Sequence, residues 1–344
     1  MSAGDVAVVR RRESARARTV TVALAVAVVA LLALSLSYGS FQVSLPDIVR
    51  SLLGRPAPPQ VDYIVQTLRL PRALVGLLTG TAFGLAGAIF QQLLRNPLAS
   101  PDVIGVTSGA TTAAVLSIVV FSAGGGVLSL VALGGALAAA MIIYLFAWRG
   151  GSVGGYRFVL VGIGIGAALN GVTSFLLTRA DVRTAQSALI WLAGSLNGRT
   201  WDHVGPLALA ALLLVPAALL LGRPLTGLQL GDDVARGLGL DVERSRLALL
   251  LVGVGLAGTA TAAAGPIAYI AFMSGPIAAR LVGGGRPVLL PAGLVGAVLV
   301  LAADFIGSHL LGSTQFPVGV VTGIIGAPYL LWLLATANRS GRGG

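Results

Sequence analysis

Runs of 18 or more apolar residues recur along almost the whole chain, and a run of that length belongs in the hydrocarbon core of a bilayer. Lipid offers no hydrogen-bonding partner, so each run must satisfy its own backbone as a helix. Hydropathy places spans near 19–38, 70–93, 103–121, 126–148, 157–178, 203–222, 247–265, 267–283, 289–308 and 317–336. The fold class is therefore an all-α polytopic membrane protein with about ten transmembrane helices. The 48 glycines are spread through these runs, and small residues let helices approach closely, so the spans form one compact bundle. The 16 prolines point to broken or kinked spans. No stretch reads as an interdomain linker. Residues 1–18 are expected as a cytoplasmic Arg-rich tail, 19–336 as a single membrane domain, and 337–344 as a second cytoplasmic tail. The first run has no small-residue cleavage site and is read as a retained span.

Arginine placement orients the bundle. With both termini in the cytoplasm, inside segments hold the five N-terminal arginines plus Arg95, Arg149, Arg157, Arg223, Arg236, Arg244, Arg246, Arg280, Arg286, Arg339 and Arg342. Outside segments hold Arg50, Arg55, Arg69, Arg72, Arg179, Arg183 and Arg199, a split of 16 to 7 that obeys the positive-inside rule. The formal charge of +11 thus belongs to span ends facing membrane lipid and is no sign of nucleic-acid binding. There is no cysteine, and His203 and His309 are the two histidines, which removes thiolate chemistry and argues against a built metal site. All 23 basic residues are arginine, so a Walker A loop with its phosphate-binding lysine is excluded. No cofactor is expected on this chain; if ATP drives it, ATP and Mg sit on another.

One long polar stretch interrupts the apolar second half, from Leu225 to Arg246. It reads as a short helix, a turn and the start of the next helix. Asp232 and Asp233 favour a helix N-terminus, Val234 and Leu238 form an i,i+4 apolar stripe, and Gly237 and Gly239 offer positive φ beyond Gly231. Asp241 is suited to cap the next helix, which carries Arg244 and Arg246. Such a segment is either a docking helix or a solvated linker. Two outer segments, 40–67 and 180–201, are long enough to carry structure, the second amphipathic near Trp191 and suited to lie on the membrane surface. GLAG at Gly84–Gly87 recurs at Gly255–Gly258, a faint hint of an internal repeat.

Residues 69–110 begin R-L-P-R, continue through a Gly-rich span to Gln91, and re-enter after Arg95-Asn96-Pro97 and Pro101 at Gly105. This segment resembles the permease subunits of ABC importers (type II) for iron-siderophores and vitamin B12. The likeness continues in WLAGSLNGRTW at Trp191–Trp201, LGDDVARGLGL at 230–240, GPIAYI at Gly265–Ile270 and the tail Ala303–Leu334. That tail looks most like the second permease of ferric enterobactin-type systems.

The resemblance implies a ten-span subunit paired across a translocation path, with a sister permease chain or a second copy of itself. It implies a cytoplasmic ABC ATPase dimer docked through the 225–246 segment, by Gly231, Asp232, Asp233, Arg236, Gly237, Leu238, Gly239 and Asp241. It implies an extracytoplasmic siderophore-binding protein, periplasmic or lipid-anchored, that meets Arg69 and Arg72, with His309 as a further contact. Gln91, Asn96, Pro97, Asp304 and Pro317 are the residues expected at the path or its gates. The family's Pro-His or Pro-Gln pair with a following Arg is replaced by Gly275, Pro276, Ala279 and Arg280, and its outer arginine after A-D by Ser308 and His309. The expected function is import of ferric siderophores by alternating access, not catalysis, in the inner membrane of a bacterium. Cobalamin or haem is the alternative cargo, and an ion-coupled carrier the alternative machine. Asp304 is the one acid inside an apolar span, read either as a path residue or as a structural carboxylate bonded to backbone or Ser308.

Overall fold

The computed structural model describes residues 3–149, 152–153, 155–283, 288–311 and 315–340. Arg286 and Arg342 of the charge count fall outside them. Helix α1 spans Ala3–Ser37, so the Arg-rich start continues the first span without a break. Short helices α2 (Leu45–Leu52) and α3 (Pro59–Asp62) follow, and α3 passes through a π-helical turn, Tyr63–Arg69, into α4 (Leu70–Leu93). Then come α5 (Val106–Phe121), α6 (Gly125–Ala147), α7 (Gly155–Arg179), α8 (Val182–Leu192) and α9 (Trp201–Leu220). The second half holds α10 (Gly222–Gln229), α11 (Asp232–Gly237), α12 (Val242–Ala264), α13 (Ile270–Val282), α14 (Leu289–His309) and α15 (Val318–Ser340). A two-residue antiparallel pairing of Trp148–Arg149 with Ser152–Val153 closes the α6–α7 turn.

Eight helices are long and apolar enough to cross a membrane, and α5 and α13 are shorter apolar helices at the third and eighth expected spans. Local chemistry explains why these two are short. Gly105 takes φ +86 before α5. Gly265 at φ +76, Pro266, and Tyr269 at φ +65 delay the start of α13 to Ile270, three residues past the expected boundary. The chain enters the bundle there as irregular backbone, which is tolerated at membrane depth only when protein covers it. The π turn has a similar local cause. Pro71 has no N–H and its ring crowds the carbonyl four residues back, and the ladder adjusts by an i→i−5 bond from Leu70 N to Val65 O. The second span therefore grows out of a helix that begins well before residue 70.

Helix α4 is the centre of the bundle, with α12, α13 and α14 around it and Phe83, Leu85 and Ile89 fully buried between them. A second cluster joins α5, α6 and α7 to α12 through Ile104, Ile143, Phe158 and Leu250. Glycine sets the α4 contacts. A Cβ on Gly84 would overlap the Ala292 carbonyl of α14, and one on Gly87 the Ala271 carbonyl of α13. Gly80 and Gly296 face each other in the same backbone-to-backbone manner. The GLAG echo does not survive this comparison: Gly255 and Gly258 on α12 meet the side chains of Leu214 and Leu133, so the two copies do different work.

Candidate functional site

The polar interruption packs as two short helices against the ends of buried spans. Leu225 and Leu228 of α10 are buried. Arg95, at φ +50 just beyond α4, donates from Nη2 to the Leu228 carbonyl at 2.5 Å, and Gln229 Nε2 donates to Gln92 Oε1 at 2.9 Å. Helix α10 is thereby tied to the end of α4. Helix α11 is tied to α12: Arg246 donates from Nη2 to both Asp232 oxygens at 3.0 and 2.8 Å, and from Nη1 to Glu243 Oε1 at 2.6 Å. Asp241 caps α12 by accepting from Arg244 N at 3.1 Å. Asp233 is fully exposed and meets Arg236 at 3.1 Å.

Gly231 at φ +109 and Gly239 at φ +81 shape the two ends of α11, whereas Gly237 is helical, a correction to the expectation that it would turn the chain. Leu238 carries the helix end instead, donating from its N–H to the Val234 carbonyl. The consequence is testable. Gly239→Ala is expected to cost about 1–2 kcal/mol, the left-handed penalty for a Cβ. Gly237→Ala should be neutral or stabilising by up to about 1 kcal/mol. Thermal melts of the purified chain compare them.

The underside of α11 is Ala235, fully buried, while Val234 and Leu238 are 49% and 65% exposed. Leu230 beside them is exposed as well. The apolar stripe thus faces away from the bundle, on a helix whose charged residues are already paired beneath and beside it.

At the opposite end of the bundle the two arginines of R-L-P-R both bond within the chain. Arg69 donates to the carbonyls of Leu36 at 2.7 Å and Phe41 at 2.5 Å, fixing the end of α1, and Gly39 leaves room for it. Arg72 holds Asp304 of α14 in a two-point grip, Nε to Oδ2 at 2.9 Å and Nη2 to Oδ1 at 2.8 Å, and reaches Ser308 Oγ at 2.6 Å. The side chains of Arg72 and Asp304 are only 23% and 11% exposed. Asp304 is thus bonded across helices, not to its own backbone or to Ser308. One turn on, His309 stacks with Phe305 and meets Tyr38 edge-on, with ring centroids 4.8 and 5.5 Å away.

The remaining expected path residues are scattered. Buried Gln91 donates to the Phe272 carbonyl at 2.8 Å, in space that exists because residue 275 is glycine. Asn96 accepts from Leu98 N at 2.9 Å and turns the chain with Pro97. The carbonyl of Pro317 accepts from Val320 N at the start of α15. Arg280 lies 4.1 Å over the Trp332 ring, joining α13 to α15.

None of Gln91, Asn96, Pro97, Asp304 and Pro317 lines the cavity of about 650 Å³ formed where the broken helices meet. Ser100, Asp102, Thr107, Ser108, Thr111 and Asn170 make one wall, and Pro266, Ile267, Tyr269, Phe272 and Leu330 the other. Discontinuous helices commonly frame ligand paths in transporters. The sequence reading passed over this wall, to which the hydroxyl-rich run at 107–112 beside Asp102 would have pointed. Asp102 accepts from Thr107 Oγ1 at 2.6 Å.

Comparison with known proteins agrees with this architecture. The model of the FecCD transport family matches residues 26–336. The Escherichia coli (strain K12) ferric enterobactin transport system permease protein FepG is 42% identical over 301 residues, covering 88% of this chain and 91% of its own. The Bacillus subtilis (strain 168) iron(3+)-hydroxamate import system permease protein FhuG is 36% identical over 286 residues, covering 80% and 85%. A solved metal-chelate type ABC transporter in an inward-facing conformation superimposes with a TM-score of 0.83 at 25% identity, over 93% of this chain and 99% of that one. A bundle threaded by one glycine-lined helix, two broken spans at a shared cavity, and a helical segment gripping α4 and α12 are carried by a chain that belongs to the FecCD transport family.

Proposed function

We propose that this chain is the transmembrane permease of an ATP-binding-cassette importer for ferric siderophores, with ATPase subunits docked on α11 and a siderophore-binding protein docked at the other end. The observation that carries the reading is the outward-facing apolar stripe Val234–Leu238 on α11, which Arg246 ties to α12 while the preceding α10 is tied to α4. A partner that pushes on α11 bears directly on α12, and through the adjoining α10 on α4, two spans that hold much of the core. ATP shifts a two-state bundle only through contacts that differ between the states, and this lever supplies such a contact. Kinship with permeases named for ferric enterobactin and iron(3+)-hydroxamate supports the cargo. With no lysine in the sequence, nucleotide chemistry falls to the partner, and the chain holds no cofactor of its own. The iron stays inside its chelate and is cargo.

In this reading α10–α11 and both termini are cytoplasmic, and Arg69, Arg72 and His309 lie at the outer mouth where a binding protein's acids approach. A second permease chain, a sister or an identical copy, completes the path along the 650 Å³ cavity. Exposed charge pairs between partners contribute about 0–1 kcal/mol each, so this corner orients the binding protein more than it holds it.

Val234→Asp with Leu238→Asp tests the lever. Both positions are exposed, so the melting temperature of the purified chain should hold. Binding-protein-stimulated ATP hydrolysis in the reconstituted complex should fall at least tenfold, about 1.4 kcal/mol of lost docking. Unchanged hydrolysis and uptake would return α11 to the status of a linker. Uptake of ferric siderophore by the chain with no ATPase present would overturn the importer reading itself.

A further inference from the structure

At the end of the bundle away from α10 and α11, the first residues of α6 and α9 and the last of α12 surround a cavity of about 350 Å³. Its wall is mainly apolar, made by Leu130, Leu133, Leu207, Ala262 and Ala263, with the hydroxyls of Ser129 and Thr259 among them, the latter bonded to the Gly255 carbonyl of its own helix. Gly125 and Gly126 line it too, and a Cβ on either would meet nothing within 4 Å, so the α6 side is open. Leu130 is exposed, as are Leu209, Leu212 and Leu213 on the neighbouring flank of α9, so the slot opens onto the surface that faces lipid. The charged or ionisable side chains in its lining are Asp202 and His203, both in the first turn of α9 at the end of the bundle. The slot is therefore mainly apolar along its depth and ionisable at its rim, the distribution of a lipid.

The rim has two chemistries. His203 Nδ1 accepts from the Thr200 backbone N–H at 3.3 Å within the capping box, so the ring proton resides on Nε2, a donor left over for a ligand. Asp202 supplies a carboxylate one residue away, which accepts from the Thr200 hydroxyl at 3.4 Å. Donor and carboxylate side by side match a headgroup that carries an anionic phosphate and a cationic amine. A primary ammonium gives Asp202 charge-assisted hydrogen bonds. A trimethylated ammonium has no N–H to give, and an uncharged glycerol headgroup brings Asp202 only the repulsion of its phosphate.

We propose that this cleft seats one aminophospholipid, an acyl chain between α6, α9 and α12, its ammonium on Asp202 and its phosphate on His203. The proposal does not depend on the transport reading, because the slot shares no lining residue with the 650 Å³ cavity and lies at the end of the bundle away from α11.

Native mass spectrometry of the detergent-purified full chain tests it, with phosphatidylethanolamine, phosphatidylcholine and phosphatidylglycerol of identical acyl chains. The wild type should keep one phosphatidylethanolamine at collision energies that strip the other two. Asp202→Asn should reduce its preference for phosphatidylethanolamine over phosphatidylglycerol at least fivefold. Ala210→Trp, which fills the slot from its half-exposed edge, should abolish retention of all three. Equal retention of the three lipids by the wild type, or selectivity unmoved by Asp202→Asn, overturns the proposal and leaves an unselective annular lipid. Asp202 is exposed, so that substitution is decisive even where the tryptophan variant fails to fold.

Discussion

Arg72→Met is expected to remove about 3–5 kcal/mol of stability, the cost of leaving one member of a buried ion pair without its partner. The reason is Asp304, which is only 11% exposed and would lose the two-point guanidinium partner that satisfies both its oxygens. Asp304→Leu should cost a similar amount for the converse reason. The double variant Arg72→Met with Asp304→Leu should recover most of the loss, since a well-packed apolar pair replaces a buried ion pair at little net cost. Melting temperatures in detergent read the three. The same variants separate two roles. If the pair is a fastener alone, the double variant binds the extracytoplasmic partner and transports normally. If a docking acid also needs Arg72, the double variant folds, yet its association rate with the binding protein falls and loses its salt dependence.

Gly87→Val should be more damaging still, with no folded protein recovered. The added Cβ would overlap the Ala271 backbone carbonyl, and neither helix has a side chain to move aside. Overpacking costs about 1–3 kcal/mol where neighbours can adjust, and this contact belongs at or above that limit. Gly164→Ala on α7 is the counterpart, because a Cβ there meets nothing within 4 Å. It should be stabilising by up to about 1 kcal/mol, as expected for alanine in place of glycine inside a helix. Size-exclusion profiles and melts of the two variants give opposite signs if glycine is used for contact in α4 and is incidental in α7.

The spans were legible because each apolar run must become a helix in lipid, and ten runs became ten helices in order. What sequence could not convey was pairing at a distance. Arg72 and Asp304 are 232 positions apart, and each was read alone, the arginine as a docking residue and the acid as a path or locally bonded residue. Positive φ at Arg95 and Tyr269 was also hidden, since neither residue type advertises that conformation as glycine does. Gly237 erred in the other direction: a glycine beside a turn stayed helical because Gly239 already supplied the turn. On α11 the stripe of Val234 and Leu238 was visible in the spacing, but its direction, outward from the bundle, was set by Arg246 gripping Asp232.

The glycine-lined helix α4 also governs how the protein can be made. Synthesis delivers Leu70–Leu93 to the membrane long before Val242–Ala264, Ile270–Val282 and Leu289–His309, the helices against which it closes. Until then its bare backbone faces only lipid or the insertion machinery, and Arg72 waits for an acid that has yet to be translated. Contacts so distant in sequence form late and slowly. The central post of the bundle is thus inserted early and completed last, and a chain truncated before α14 would leave the membrane with an unmatched cation and an uncovered glycine face.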